Sequence, residues 1–188
     1  MNSPALHNLL SRYSLGIKHL TEPGPSEAEL QAMVSAALRA PDHGELVPWR
    51  LSVVQGTARE ALAELFVQHA RTKGKDAAGQ AIERERALKA PVTVAVIARI
   101  DLGHPVVPAH EQWMSVGGAV TNFLNAVHAQ GYAAKMLSGD KARAVPITQA
   151  FCAPGETLVG WIAVGTPTRA LSTAERKAAD TVWSHWGR

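Results

Sequence analysis

Two short runs hold the residue types from which an anion site could be built. In Ser11-Arg12-Tyr13-Ser14 a guanidinium fork stands beside hydroxyls, and several charge-assisted hydrogen bonds converging on one dianion would hold a phosphate. Read alone, these are equally ordinary surface groups, because basic and polar side chains at a helix C-terminus sit favourably in its dipole. The second run is Arg39-Ala40-Pro41-Asp42-His43-Gly44, followed by Pro48-Trp49. Two prolines, a glycine and a helix end fix an irregular loop, and such loops on a rigid scaffold carry binding groups. On composition it serves equally as a rigid turn with Trp49 packed into the core.

Other chemistries are missing by signature. There is no G-x-G-x-x-G after a strand, no Walker loop, no H-E-x-x-H and no G-x-S-x-G elbow. Of the 8 histidines only His104 and His110 lie close together, on a Pro-rich loop, so no metal site is expected. Cys152 is the only cysteine, which removes CxxC chemistry, Cys-rich zinc sites and intrachain disulfides. Redox work in this chain would need a cofactor. Lys and Arg total 19 against 16 Asp and Glu, a net +3 that is dispersed along the chain. The densest stretch, Arg84 to Lys89, is interleaved with Glu83 and Glu85 and reads as a solvated helix face, so no nucleic-acid partner is expected. A small anionic ligand accounts for the balance as well.

The elements that must position these groups can be read from periodicity. Ser3-Pro4 starts a helix over about 4–15, and Ser26-Glu27-Ala28-Glu29 forms a capping box for a helix with Leu30, Met33, Val34, Ala37 and Leu38 on one stripe. Residues 51–55 read as a strand, and Thr57 to Glu60 as a second capping box opening a helix. A charged helix around Ile82 and Leu88 stops at Pro91. The run from Val92 to Ala98 is apolar and β-branched throughout, which predicts a strand covered on both faces. After a loop over 99–110, a long helix from Met114 to Gln130 carries Gly117, Gly118 and Ala119, where another backbone can come close, and Gly131 is its C′ residue. A strand over 132–137, a short helix over 145–152 and a strand over 158–164 follow. Four strands among five or six helices predict an α+β layer fold. At 188 residues the chain is expected to be one domain over 1–170 with a tail over 171–188. The tail, helical after Thr173, carries Trp183 and Trp186, which a monomer rarely leaves in solvent. No membrane span is expected, nor a signal peptide from the first residues, so the expected location is cytoplasmic.

The order of these features carries a resemblance. R-x-S near the start, a capping-box helix, R-A-P-D-H, then P-W and a strand resembles the nitroreductase family of FMN enzymes, and within it the small YdjA-type subgroup. Glu111-Gln112, Met114-Ser115 and Gly117, then Gly131, Ser138-Gly139, Val159-Gly160 and Gly165-Thr166-Pro167 agree in order. The similarity runs over about residues 8–168.

The resemblance implies an α+β fold with a central, mostly antiparallel sheet flanked by helices, forming an intertwined homodimer with FMN in clefts at the subunit interface. It implies that Arg12 and Ser14 grip the ribityl phosphate and that Tyr13 fills a slot usually held by a second Arg. Arg39 and His43 match positions that contact FMN across the interface, Met136, Leu137 and Ser138 the strand end along the flavin. Arg169 is placed to add positive charge near the phosphate. Two departures stand out: Val47 replaces a Gln before Pro-Trp, and Met136-Leu137 replaces a Trp-Arg pair. The implied activity is hydride transfer from NAD(P)H through FMN to a small nitroaromatic, quinone or similar acceptor, with no catalytic triad. Two other readings stay open at this stage. One is a different flavin reaction on this fold, dehalogenation or flavin degradation; the other is a flavin-free interaction module docking through the C-terminal Trp residues.

Overall fold

The computed structural model describes residues 3–170 and 176–187. Its centre is β3 (Val92–Ala98), in which every residue is buried. Antiparallel partners flank it, β2 (Trp49–Gln55) on one side and β5 (Thr157–Pro167) on the other. Beyond β5 lies β4 (Ala133–Leu137), also antiparallel, and the two-residue β1 (Leu20–Thr21) pairs with Thr166 and Pro167. The continuous apolar run of β3 follows from this position, since side chains alternate between faces and both faces are covered.

The even-numbered residues Val92, Val94, Val96 and Ala98 enter a core shared with α2 (Glu27–Ala37) and α5 (Ala109–Ala129), through Leu30, Met33, Phe123 and Val127. On the opposite face Ala95 and Ile97 meet α3 (Ala58–Thr72), α4 (Ala77–Lys89) and α6 (Val145–Phe151), with Leu62, Phe66, Ile147 and Trp161. The result is a three-layer α+β sandwich, as expected. Each fully buried Val, Leu, Ile or Phe contributes roughly 1.5–3 kcal/mol to it.

Several local readings hold. The Ser26–Glu29 capping box is formed in both directions, and Gly131 ends α5 at φ 82°. Others are corrected. Helix α1 is only Pro4–Ser11, because the chain turns extended at Arg12 so that Leu15 N–H donates to the Ala134 carbonyl at 3.1 Å and Ser14 forms a parallel bridge with Ala134. Thr57 makes no capping bond; it lies at φ −67°, ψ −24°, already helical. Among the described residues five strands are formed rather than four, β1 being too short to carry a period. Helix α5 starts at Ala109, five residues ahead of the expected Met114. The expected helix after Thr173 lies partly outside the described residues; within 176–187 only a 3-10 turn, Ala179–Thr181, is formed.

Gly160 is fixed by its surroundings. It sits opposite a register shift between Val96 and Ile97, at φ +153°, and a Cβ there would lie 2.2 Å from the Leu137 carbonyl oxygen. No other residue fits. The bulge lets β4 close against β5 at the strand end where the candidate site begins.

Candidate functional site

The first cluster is built by the strand-like segment after α1. Leu15, fully buried, pins it to β4, and Arg12 then donates from Nη1 to Ser14 Oγ at 3.4 Å. A guanidinium and a hydroxyl are thus held together at the sheet edge. Tyr13, between them, packs toward the Leu15–Leu20 cluster. His128 on α5 lies behind, 2.9 Å from Ser11 Oγ through Nε2. Burial, then the nearby charges of Arg12 and His7, hold its imidazole below the usual histidine value, so it is neutral at pH 7.

Next to this segment is a cleft of about 460 Å³, lined by Gly16, Ile17 and Lys18, by Ile82, Glu85, Arg86 and Lys89 of α4, and by Lys135 and Leu137 of β4. Four cations face one carboxylate, with three aliphatic side chains between them. Arg169 belongs to the same surroundings: Thr168 N–H donates to the His19 carbonyl at 2.9 Å. Burial first, then the charges of Arg169, Lys18 and Lys89, depress the His19 pKa. The α4 residues of this cleft recur at i, i+3, i+4 and i+7, a pattern visible in the sequence but read there as a solvated face.

That reading is corrected on the other side of α4 as well. Glu83 is 1% exposed and receives Lys75 at 2.7 Å, Arg86 at 2.8 Å and Lys141 at 2.5 Å. Burial alone would raise its pKa, but the hydrogen bonds of Lys141 and Lys75 and the charges of Lys141 and Arg86 bring it down to about 2. Lys141 and its neighbour Asp140, which pairs with His69 at 3.0 Å, fix the loop that starts at Ser138. Within β4 the pleat separates two of the expected site residues: Met136 packs toward the α5 face, whereas Leu137 faces the α4 side and the cleft.

Arg39 and His43 lie elsewhere, both exposed, between α2 and β2. His43 Nδ1 is 2.6 Å from Glu111 Oε2 at the start of α5. The loop is rigid, as expected. Asp42 Oδ2 accepts from Val47 N–H at 2.7 Å, holding a β-branched residue at φ +45°, where such residues are strained. Arg99 donates to the Val47 and Trp49 carbonyls at 3.1 and 3.0 Å, and Trp49 is in the core. Neither Arg39 nor His43 lines the cleft of their own chain. Among the described residues no group of His, Cys, Asp and Glu could hold a metal ion, and no helix is long and apolar enough to cross a membrane.

Known proteins resemble this chain in sequence and in fold. The chain is 35% identical over 173 residues to the Escherichia coli K12 protein named "Putative NAD(P)H nitroreductase YdjA", covering 90% of this chain and 92% of that one. Its fold matches the crystal structure of a nitroreductase-like family protein from Bacillus cereus with a TM-score of 0.83 at 16% identity, over 100% of this chain and 98% of that one. It also matches a mutant of the FMN and NADPH-dependent nitroreductase NfnB from sphigopyxis sp. strain HMH, with a TM-score of 0.76 at 18% identity over 99% and 100% of the two chains. The model of the nitroreductase family matches residues 9–166, so the fold and the order of the motifs have one account: the chain is an enzyme of the nitroreductase family.

Proposed function

We propose that the enzyme binds FMN and uses it to pass hydride from NAD(P)H to a small acceptor such as a nitroaromatic or a quinone. The cleft beside β4 carries this reading. A flavin mononucleotide needs an apolar slot for its ring and cations for its phosphate; Ile17, Ile82 and Leu137 provide the first, and Lys18, Lys89 and Lys135 the second. Arg12, Ser14 and Arg169 extend the cationic end, while Tyr13 acts as packing. Ser138, which follows β4, lines the adjoining cavity between the sheet and α3 and α4; Met136 supports the strand from the far face. FMN and NAD(P)H appear in the names of the relatives and fold neighbours. When bound, FMN supplies the hydride chemistry, and the side chains supply binding, orientation and electrostatics. No side chain is assigned as catalytic.

Arg39 and His43 can reach a flavin only if a second copy brings them there, so the reading includes a homodimer. Helix α1 supports it. Its polar face, through Asn8 and Ser11, bonds to α5, while Leu6, Leu9 and Leu10 are 40%, 53% and 72% exposed. Gly117, with nothing within 4 Å of where its Cβ would be, and Met114 add to the open surface on α5. We assign residues 1–170 to one domain and 171–188 to a dimer-associated tail, since Trp183 and Trp186 are 60% and 101% exposed. The single Cys152 suits a reducing, cytoplasmic setting.

The test is an absorption spectrum of the purified protein, with and without added FMN, then with NADPH under anaerobic conditions. Flavin bands that bleach with reductant are expected. Protein that stays colourless after reconstitution overturns the reading in favour of an interaction module. One cleft serving reductant and acceptor in turn gives parallel double-reciprocal lines; intersecting lines defeat the shared site.

A further inference from the structure

Away from the cleft, His43 Nδ1 meets Glu111 Oε2 at 2.6 Å, a contact between residues 68 apart in sequence. The two side chains are 55% and 36% exposed, and a charged contact so open to water adds little to stability. Stability therefore does not explain why both partners are firmly held.

Each partner stands on a rigid base. On the His43 side the chain is left-handed at two residues that carry side chains, Glu45 at φ +52° and Val47 at φ +45°. Such positions are disfavoured and persist only where the surroundings over-determine them. Here Asp42 Oδ2 accepts from Val47 N–H at 2.7 Å, and Arg99 donates to the Val47 carbonyl at 3.1 Å. The loop is also seated closely on α5, since a Cβ at Gly118 would lie 3.1 Å from that of Ala40. On the other side, the residue after Glu111 is Gln112, 1% exposed. Its amide accepts from Asp101 N–H at 2.8 Å and donates to the Asp101 and Val107 carbonyls at 2.8 and 2.9 Å. The first turn of α5 is thereby fixed, and Glu111 with it.

A carboxylate only accepts, so the N–H in this contact belongs to Nδ1. The hydrogen bond at one ring nitrogen sets the state of the other. Nε2 is left on the side of the ring away from Glu111, and among the described residues no hydrogen bond reaches it. We propose that Glu111 is a positioning residue for His43: it keeps the N–H at Nδ1 and the ring in one orientation, so that neutral His43 offers Nε2 as a hydrogen-bond acceptor to a ligand at the surface between copies. This role rests on the FMN reading, in which a second copy brings a flavin to His43. FMN has donors to match, a ring imide N–H and the ribityl hydroxyls.

The test uses the full chain labelled with 15N and 13C at mildly alkaline pH. Long-range proton correlations read the two His43 ring nitrogens, identified by their loss in His43→Gln. Wild type should carry the proton on Nδ1. Glu111→Ala should move it to Nε2, the tautomer that a free histidine side chain favours, with an unchanged circular dichroism spectrum. FMN added to the same samples should shift the wild-type Nε2 resonance. Fluorescence titration should show Glu111→Ala weakening FMN about fivefold, as His43→Gln does, with the two together no worse than either alone. A wild-type proton on Nε2, an unchanged tautomer in Glu111→Ala, an Nε2 resonance that stays in place while FMN binds, or additive losses in the double variant each overturns the role. Wild type that takes up no FMN overturns the flavin reading and with it the ligand named here, while the tautomer still decides whether Glu111 sets the ring. If Glu111→Ala does not fold, the wild-type tautomer and its FMN shift decide on their own.

Discussion

Strand β3 and helix α1 are both written in apolar residues, yet they meet opposite fates. All seven residues of β3 are buried, and none of α1 is. The difference lies in what the rest of the chain provides. Two helical layers and two neighbouring strands are committed to β3. Helix α1 is attached to α5 through Asn8 Nδ2 and Ser11 Oγ, the polar side that a surface helix normally turns to water. An apolar pattern therefore announces that a face will be covered without saying by which molecule.

The sharpest way to break the contrast is a charge in the strand. Val94 is fully buried and pairs with Val53 on one side and Ile162 on the other, so Val94→Asp leaves an ion with no partner or water. The cost should exceed about 4 kcal/mol, a large part of the ~5–15 kcal/mol that holds a domain together. Loss of cooperative unfolding by circular dichroism is expected; a folded Val94→Asp protein would mean that the central strand is not central.

Glu83 sharpens it from the polar side, because it is a buried ion that the fold surrounds with three cations. Its carboxyl titrates at about 2 against an ordinary 4.5. The folded pKa lies below the unfolded one, so the stabilisation is fully present above pH 4.5 and is lost as pH falls from 4.5 toward 2. At neutral pH it is on the order of 3 kcal/mol. Glu156, held to about 2 chiefly by the Arg50 hydrogen bond, acts over the same window. Urea unfolding across pH 2–7 should show Glu83→Gln losing most of its deficit as pH falls; a constant difference between the two proteins would mean that Glu83 carries no such linkage.

These examples show why the sequence was legible in parts. Periodicity reports faces, so α2, β3 and the layer arrangement could be read directly, and ordered motifs marked the R-x-S turn and the R-A-P-D-H loop. Charge is ambiguous without the third dimension. Glu83 to Lys89 looks like one solvated face, but Glu83 points inward to three cations, Arg86 borders two spaces, and Glu85 and Lys89 line the cleft. Lys18, Lys135 and Lys141, which meet them, come from segments about 45 to 70 residues away in sequence, and no local pattern links them. The break in α1 at Arg12 was hidden for the same reason: the bond that straightens the chain there comes from Ala134.

Helix α2 lies between the extremes, since its buried stripe and its local cap can be separated. Ser26→Ala removes the hydroxyl that accepts from Glu29 N–H and donates to Glu29 Oε2, while the Ser26 backbone N–H and the Tyr132 hydroxyl still hold that carboxylate. A loss of about 1 kcal/mol is expected in urea unfolding, with the fold intact. A loss nearer zero would mean that tertiary packing alone sets the start of this helix.

The smallest effect on stability should come from α1 itself, and it is the one that tests what the exposed leucines are for. Leu9 and Leu10 are each more than half exposed on the chain, so Leu9→Glu with Leu10→Glu should change the unfolding free energy of a single chain by no more than about 0.5 kcal/mol. If a second copy covers them, the same pair should halve the mass seen by sedimentation at micromolar concentration, because two carboxylates would have to be desolvated in the interface. It should also release whatever Arg39 and His43 contribute across that interface, seen as weaker FMN retention with Arg12 and Ser14 untouched. An unchanged mass would place the covering surface elsewhere. A single-chain loss well above 0.5 kcal/mol would instead make α1 an ordinary packed helix, and the contrast with β3 would disappear.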